Sequence, residues 1–218
     1  MKLGLLGGTF NPVHMAHLRI AEEARELQGL DKIMFIPAAD PPHKPLVGGV
    51  PFAQRHEMVK TAIKDNSNFL ASDIEARLGG KSYTVETLPA LKKECPDAEL
   101  FFIIGSDSYL ELGQWHRFDE LFALTSLIVV ERPGSQIDEP IKQLPKKVRD
   151  TFVQGDDQRL YHESGRSISF IKGTLIDISS SELRGLIKAG RSIRYLVPPA
   201  VETYIAQKGL YLNDREKS

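Results

Sequence analysis

Cysteine is almost missing from this chain: Cys95 is the only one in 218 residues. That excludes an internal disulfide and a cysteine-based metal cluster, and it leads us to expect a reducing, cytoplasmic setting. An excess of charge is lacking as well, since 28 basic residues balance 29 acidic ones to a formal −1. Such a balance gives no electrostatic footprint for nucleic acid or for an anionic membrane. No apolar run approaches the length of a membrane span, and the first, "KLGLLG", meets glycine at once. There is no internal repeat. Two phosphate-binding signatures are also absent, the G-x-x-x-x-G-K-[ST] loop and the dinucleotide G-x-G-x-x-G. Tryptophan occurs once, as Trp115 in "GQWHR". Its polar company suits a stacking platform for a flat ring as well as it suits a core position.

What is present is alternation. Continuous apolar runs at 2–7, 32–38, 99–105 and 126–134 read as strands buried on both faces. Between them lie helical patterns. "AHLRIAEEARELQG" (16–29) puts Ile20, Ala21, Ala24 and Leu27 on one face and stops at Gly29. "PFAQRHEMVKTAIKD" (51–65) carries Met58, Val59, Ala62 and Ile63 on one stripe. "TVETLPALKKEC" (84–95) reads as a helix in spite of Pro89. The order predicts one α/β domain over 1–218, a doubly wound, mostly parallel sheet with a small C-terminal helical part at about 178–212. Ligands of such sheets bind beyond the carboxyl ends of the strands, so 8–17, 39–45, 105–109 and 132–134 should share one cleft. The Pro- and Gly-rich stretch 38–51 is long enough for a binding loop or lid. The stretch from about 135 to 165 is polar and reads as a surface excursion.

Two helix starts carry the chemistry. In "GGTFNPVHMAH" (7–17), Gly7 and Gly8 let backbone amides approach a ligand and permit dihedrals closed to other residues. The helix that follows aims N–H groups and its positive dipole end at the same place, which suits an anion. His14 and His17 share a face there and can both donate to phosphate oxygens; no third ligand at proper spacing supports a zinc site. In "IDISSSELRGLIKAG" (176–190), Ser179 and Glu182 have capping-box spacing and Ile178 with Leu183 forms a hydrophobic staple. Ser180, Ser181 and Arg184 are left over for a second polyphosphate cradle. "PPHK" presents His43 and Lys44 on a rigid turn, and Gly105 with Asp107 ends a strand where a carboxylate can take ribose hydroxyls or help hold a metal.

Together these motifs resemble the H-x-G-H nucleotidyltransferase superfamily, whose second signature is an I-S-S-[TS]-x-x-R run. "PPHK", "SYTVETL" (82–88), "GSDS", the lone Trp and "RPG" narrow the likeness to bacterial nicotinate-nucleotide adenylyltransferases, in that family's order across nearly the whole chain. Ala16 stands where the signature has Gly, Ser181 where Thr is commoner, and Asn11 where Asp is frequent. The resemblance implies a Rossmann-like fold and transfer of AMP from ATP, with Mg²⁺, to nicotinate mononucleotide. It places Gly7, Gly8, Thr9, Phe10, His14, His17, Gly105, Asp107, Ile178, Ser180, Ser181 and Arg184 around ATP. Of these, His14, His17, Ser180 and Arg184 are the catalytic candidates. It places Trp115, Tyr83, Thr84, His43 and Lys44 around the acceptor. The expected partners are these two small molecules and possible further copies of the chain, with no nucleic acid or membrane. Phosphopantetheine or nicotinamide mononucleotide as acceptor, and a non-catalytic nucleotide-binding module, are the competing readings.

Overall fold

A computed structural model describes residues 1–42, 49–131, 137–157, 159–174 and 176–212. Among them, eight strands make one sheet: β1 (Lys2–Gly8), β2 (Lys32–Pro37), β3 (Phe69–Ala71), β4 (Glu99–Gly105), β5 (Ser126–Glu131), β6 (Phe152–Gln154), β7 (Leu160–His162) and β8 (Ser167–Lys172). Their order is β3-β2-β1-β4-β5-β8-β7-β6. The first six positions of that order are parallel, and β7 and β6 are antiparallel. Strand order reverses between β1 and β4, so a crevice is expected beyond Gly8 and Gly105.

The runs are continuously apolar because both faces of the sheet are covered. Along β5, Ile128 and Val130 join one apolar layer while Leu127 and Val129 join the opposite one. The first layer packs under α1 (Met15–Gln28), α2 (Phe52–Ile63), α9 (Ser180–Lys188) and α10 (Pro199–Lys208). The second packs under α3 (Ile74–Leu78), α4 (Thr84–Glu94), α5 (Ser106–Leu110), α6 (Leu121–Leu124), α7 (Pro140–Gln143) and α8 (Lys146–Arg149). No helix among the described residues is long and apolar enough to cross a membrane.

Most expected elements form where expected, with informative exceptions. Helix α1 closes on Gly29 at φ 60°, and α2 buries Met58, Val59 and Ile63. Leu27, however, faces solvent; the buried stripe of α1 is Ala16, Ala21, Glu23 and Ala24. Glu23 can lie there because its carboxylate accepts from Arg19 Nε (2.9 Å) and from Thr174 N (2.9 Å). Helix α4 runs through Pro89, held by buried Val85, Leu88 and Leu91. The stretch near 135–165 is not merely an excursion. Its sparse apolar residues, Leu144, Val148, Phe152 and Leu160, are buried, and β6 and β7 extend the sheet. Strands of three residues are too short to show a period in the sequence.

Candidate active site

The turn after β1 is fixed by an aromatic side chain. Neither Gly7 nor Gly8 takes positive φ; Phe10 does, at 47°, with its ring only 1% exposed. The two glycines are needed for space instead. A Cβ on Gly8 would come within 3.2 Å of the Phe10 ring, and one on Gly7 within 3.2 Å of Phe102. The turn then passes the cis Asn11–Pro12 peptide and enters α1 with His14 as N-cap. His14 and His17 stack, with centroids 3.7 Å apart and planes at 29°, and the Phe10 ring meets His17 edge-on at 5.0 Å. His14 N donates to His17 Nδ1 at 3.3 Å, which places the proton of the neutral imidazole on Nε2. His17 lines the cleft; His14 lies behind it, buried. The first helical amide is already in use, since Met15 N donates to Leu196 O at 3.0 Å. Anion recognition here therefore falls on the turn and the imidazole more than on the first amide of α1.

The second helix start docks directly onto this turn. Ser179 caps α9 in a complete capping box with Glu182, as the spacing predicts. Ser180 Oγ donates to Pro12 O (2.9 Å), and Arg184 Nη1 donates to Asn11 O (2.8 Å). Arg184 Nη2 reaches Ser181 Oγ at 3.1 Å, and Tyr211 OH donates to Asn11 Oδ1 at 2.7 Å. Two motifs about 160 residues apart in sequence are thus one structure. Arg184 carries five N–H groups, so these bonds do not exhaust it.

A cleft of about 310 Å³ opens beside the turn at the strand switch. Gly7, Gly8 and His17 wall one end; Ser82, Thr84 and Trp115 wall the other, with Gly105 and Ser108 between. Trp115 is steadied edge-on by Phe102 at 6.2 Å. Tyr83 is the N-cap of α4, and its ring packs on His116 at 4.2 Å. Two expected contacts stand apart from this wall. Asp107 is exposed on the first turn of α5, and Ile178 borders a neighbouring hollow with Leu183, Leu186 and Leu196. His43 and Lys44, with the rest of 43–48 in loop 38–51, and the "RPG" segment 132–134 fall outside the described residues.

Comparison with known proteins agrees with this geometry. The cytidylyltransferase-like family matches residues 5–186. A protein of Trichlorobacter lovleyi named probable nicotinate-nucleotide adenylyltransferase is 63% identical, covering 97% of this chain and 99% of its own length. A protein of the same name from Pelobacter propionicus is 55% identical over 97% of this chain and 98% of its own. The chain belongs to the nicotinate-nucleotide adenylyltransferase family. The fold is shared with a solved nicotinic acid mononucleotide adenylyltransferase of Plasmodium falciparum complexed with NaAD. That structure is 22% identical at a TM-score of 0.73, covering 96% of this chain and 97% of the other.

In this family member, three residues at the site escaped sequence reasoning. His116 follows the lone Trp and packs on Tyr83. Arg55, fully buried, donates Nη1 to Thr9 O (2.7 Å) and Nε to Val50 O (3.3 Å), and burial lowers its pKa. Glu75 lines the cleft, and burial raises its pKa. The signal for the last two was charge inside otherwise amphipathic helices, which a single sequence does not separate from a solvated face.

Proposed function

We propose that the protein transfers AMP from ATP to nicotinate mononucleotide, forming the deamido dinucleotide and pyrophosphate. The observation carrying this reading is a single cleft at the strand switch with a phosphate-suited turn at one end and an aromatic wall at the other. A phosphate oxygen of the acceptor attacks the α-phosphorus; the bond to the bridging oxygen breaks, and pyrophosphate leaves with its electron pair. The nucleophile is already ionised, so neither a general base nor a covalent intermediate is required. What remains is alignment and neutralisation of charge on the transferring and leaving phosphates.

In this reading the Gly7–Phe10 backbone, His17, Ser181 and Arg184 receive the triphosphate, with the His17 imidazole nearest the reacting group and His14 stacked behind it as its support. Ser180 serves by holding Pro12, and Gly105, Asp107 and Ile178 lie toward adenosine. Trp115 stacks on the pyridine ring, and the α4 start at Tyr83–Thr84 receives its carboxylate, where the positive end of the helix dipole favours an anion. His43 and Lys44 serve the acceptor phosphate. Mg²⁺ bound with ATP would supply further neutralisation of charge on the phosphates.

The test incubates the protein with ATP, Mg²⁺ and one acceptor at a time: nicotinate mononucleotide, nicotinamide mononucleotide or phosphopantetheine. Pyrophosphate release fastest with nicotinate mononucleotide is expected. No release with any acceptor would overturn the enzymatic reading, and a better second or third acceptor would overturn the substrate.

A further inference from the structure

Beneath the acceptor half lies a carboxyl that neither the phosphate chemistry nor the aromatic wall explains. Glu75 Oε1 accepts from Thr87 Oγ1 at 3.0 Å, while Oε2 is buried without a hydrogen-bond partner of good geometry. The Ser82 and Thr87 hydroxyls, the Ala39 N–H and the Arg55 charge partly offset its burial. Ser82 then laces two chain segments together above this carboxyl. Its Oγ accepts N–H from Ala39 (2.9 Å) and Asp40 (3.1 Å), and its own N–H donates to Asp40 O (2.9 Å). One segment, 38–42, leaves β2; the other, 82–84, begins α4. Opposite stands Arg55, gripping Thr9 O of the nucleotide turn and itself left with a buried, unpartnered Nη2. A buried carboxyl and a buried guanidinium that are each incompletely paired are costly to keep. Here one lines the cleft and the other holds the turn beside it.

We propose that Glu75 is a positioning residue for the acceptor, locking segments 38–42 and 82–84 into one wall so that Thr84 and Trp115 hold the pyridine ring at a fixed distance from the nucleotide turn. This rests on the adenylyltransferase reading above. The carboxyl touches Thr87 and is opposed by Ser82, so its effect on the substrate passes through those residues. Loss of the carboxyl therefore loosens the acceptor wall and leaves the His17 side in place.

Glu75→Ala, Glu75→Gln and Ser82→Ala are compared with the unchanged protein by steady-state kinetics and by amide hydrogen exchange. Glu75→Ala should raise the acceptor KM about tenfold, the scale of one lost buried hydrogen bond, with the ATP KM little changed. Gln should restore most of that loss, and Ser82→Ala should show a smaller change of the same kind. Exchange at the Ala39 and Asp40 amides should quicken in both alanine variants. An unchanged acceptor KM, or an equal rise in both KM values that Gln does not repair, overturns the proposal. If the unchanged protein itself fails to use nicotinate mononucleotide, the functional reading falls instead. The exchange measurement needs no substrate, so unaltered protection at Ala39 and Asp40 overturns the positioning role in either case.

Discussion

The two ends of the cleft are built by opposite means. At the nucleotide end, side chains from distant elements grip main-chain carbonyls: Ser180 holds Pro12 O, Arg184 holds Asn11 O and Arg55 holds Thr9 O. At the acceptor end, aromatic rings and hydroxyls form the wall, supported by one buried carboxyl. In the proposed reaction, the difference follows from what each end would receive. Phosphates are met by backbone dipoles and charge, so the shape of the turn must be fixed, and Phe10 at φ 47° shows the strain that this accepts. A flat ring is met by another flat ring, which needs orientation more than dipoles.

The sharpest way to break this contrast is His17→Ala. The imidazole is held by His14 N and the Phe10 edge but is half-exposed to the cleft, so the fold should survive its removal. Turnover should fall about 10²–10³-fold, the scale of one lost donor at a transition-state oxyanion, with the acceptor KM nearly constant. Pre-steady-state measurement of pyrophosphate release checks this. Unchanged turnover would remove His17 from the reaction. Trp115→Ala should do the reverse, raising the acceptor KM roughly tenfold, as expected for loss of one stacking partner, while ATP affinity stays constant. A change confined to ATP would mean that the two ends have been interchanged.

Tyr211→Phe sharpens the comparison at the nucleotide end. Tyr211 and Asn11 are both buried, and their 2.7 Å bond ties the segment after α10 to the turn. Without its hydroxyl, Asn11 Oδ1 loses a donor it cannot replace from solvent, at a cost of about 1–3 kcal/mol in stability. Denaturant unfolding measures this directly. The kinetic effect should be smaller than that of His17→Ala and should fall on ATP.

These contrasts also explain how much was legible in the sequence. The parallel sheet was visible because β1, β2, β4 and β5 are buried on both faces and therefore continuously apolar. β3, β6 and β7 were not, being three residues long. The nucleotide end was readable because its residues lie in two compact motifs, one of them an explicit capping box. Even so, the left-handed residue of the turn was misplaced onto glycine, because only packing shows that Phe10 is forced there. The inward turn of Glu23 depends on Thr174 arriving from the far side of the chain. At the acceptor end Trp115 was conspicuous by being alone, whereas Glu75 and Arg55 looked like ordinary helix charges. Long-range burial cannot be read from local spacing.

The mildest test also separates the two ends, through pH. Burial holds the Glu75 carboxyl above its usual range even with the Arg55 charge drawing it down. Its folded pKa therefore exceeds its unfolded one. A group shifted this way contributes fully below the unfolded pKa, and that contribution is lost as pH rises through the folded pKa. Glu75→Gln replaces the neutral form and cannot ionise. In acid, where the native carboxyl is protonated, the variant and the unchanged protein should melt at similar temperatures. As pH rises through that raised pKa, the variant should become the more stable of the two, because only the unchanged protein then carries a buried anion. Loss of attraction to Arg55 works against this gain. The raised pKa already includes that attraction, so burial wins the balance. No matching trend should appear for Trp115→Ala. A Tm difference that shrinks with rising pH would mean that the Glu75 anion is stabilised in its place, and that the acceptor wall rests on a satisfied ion pair.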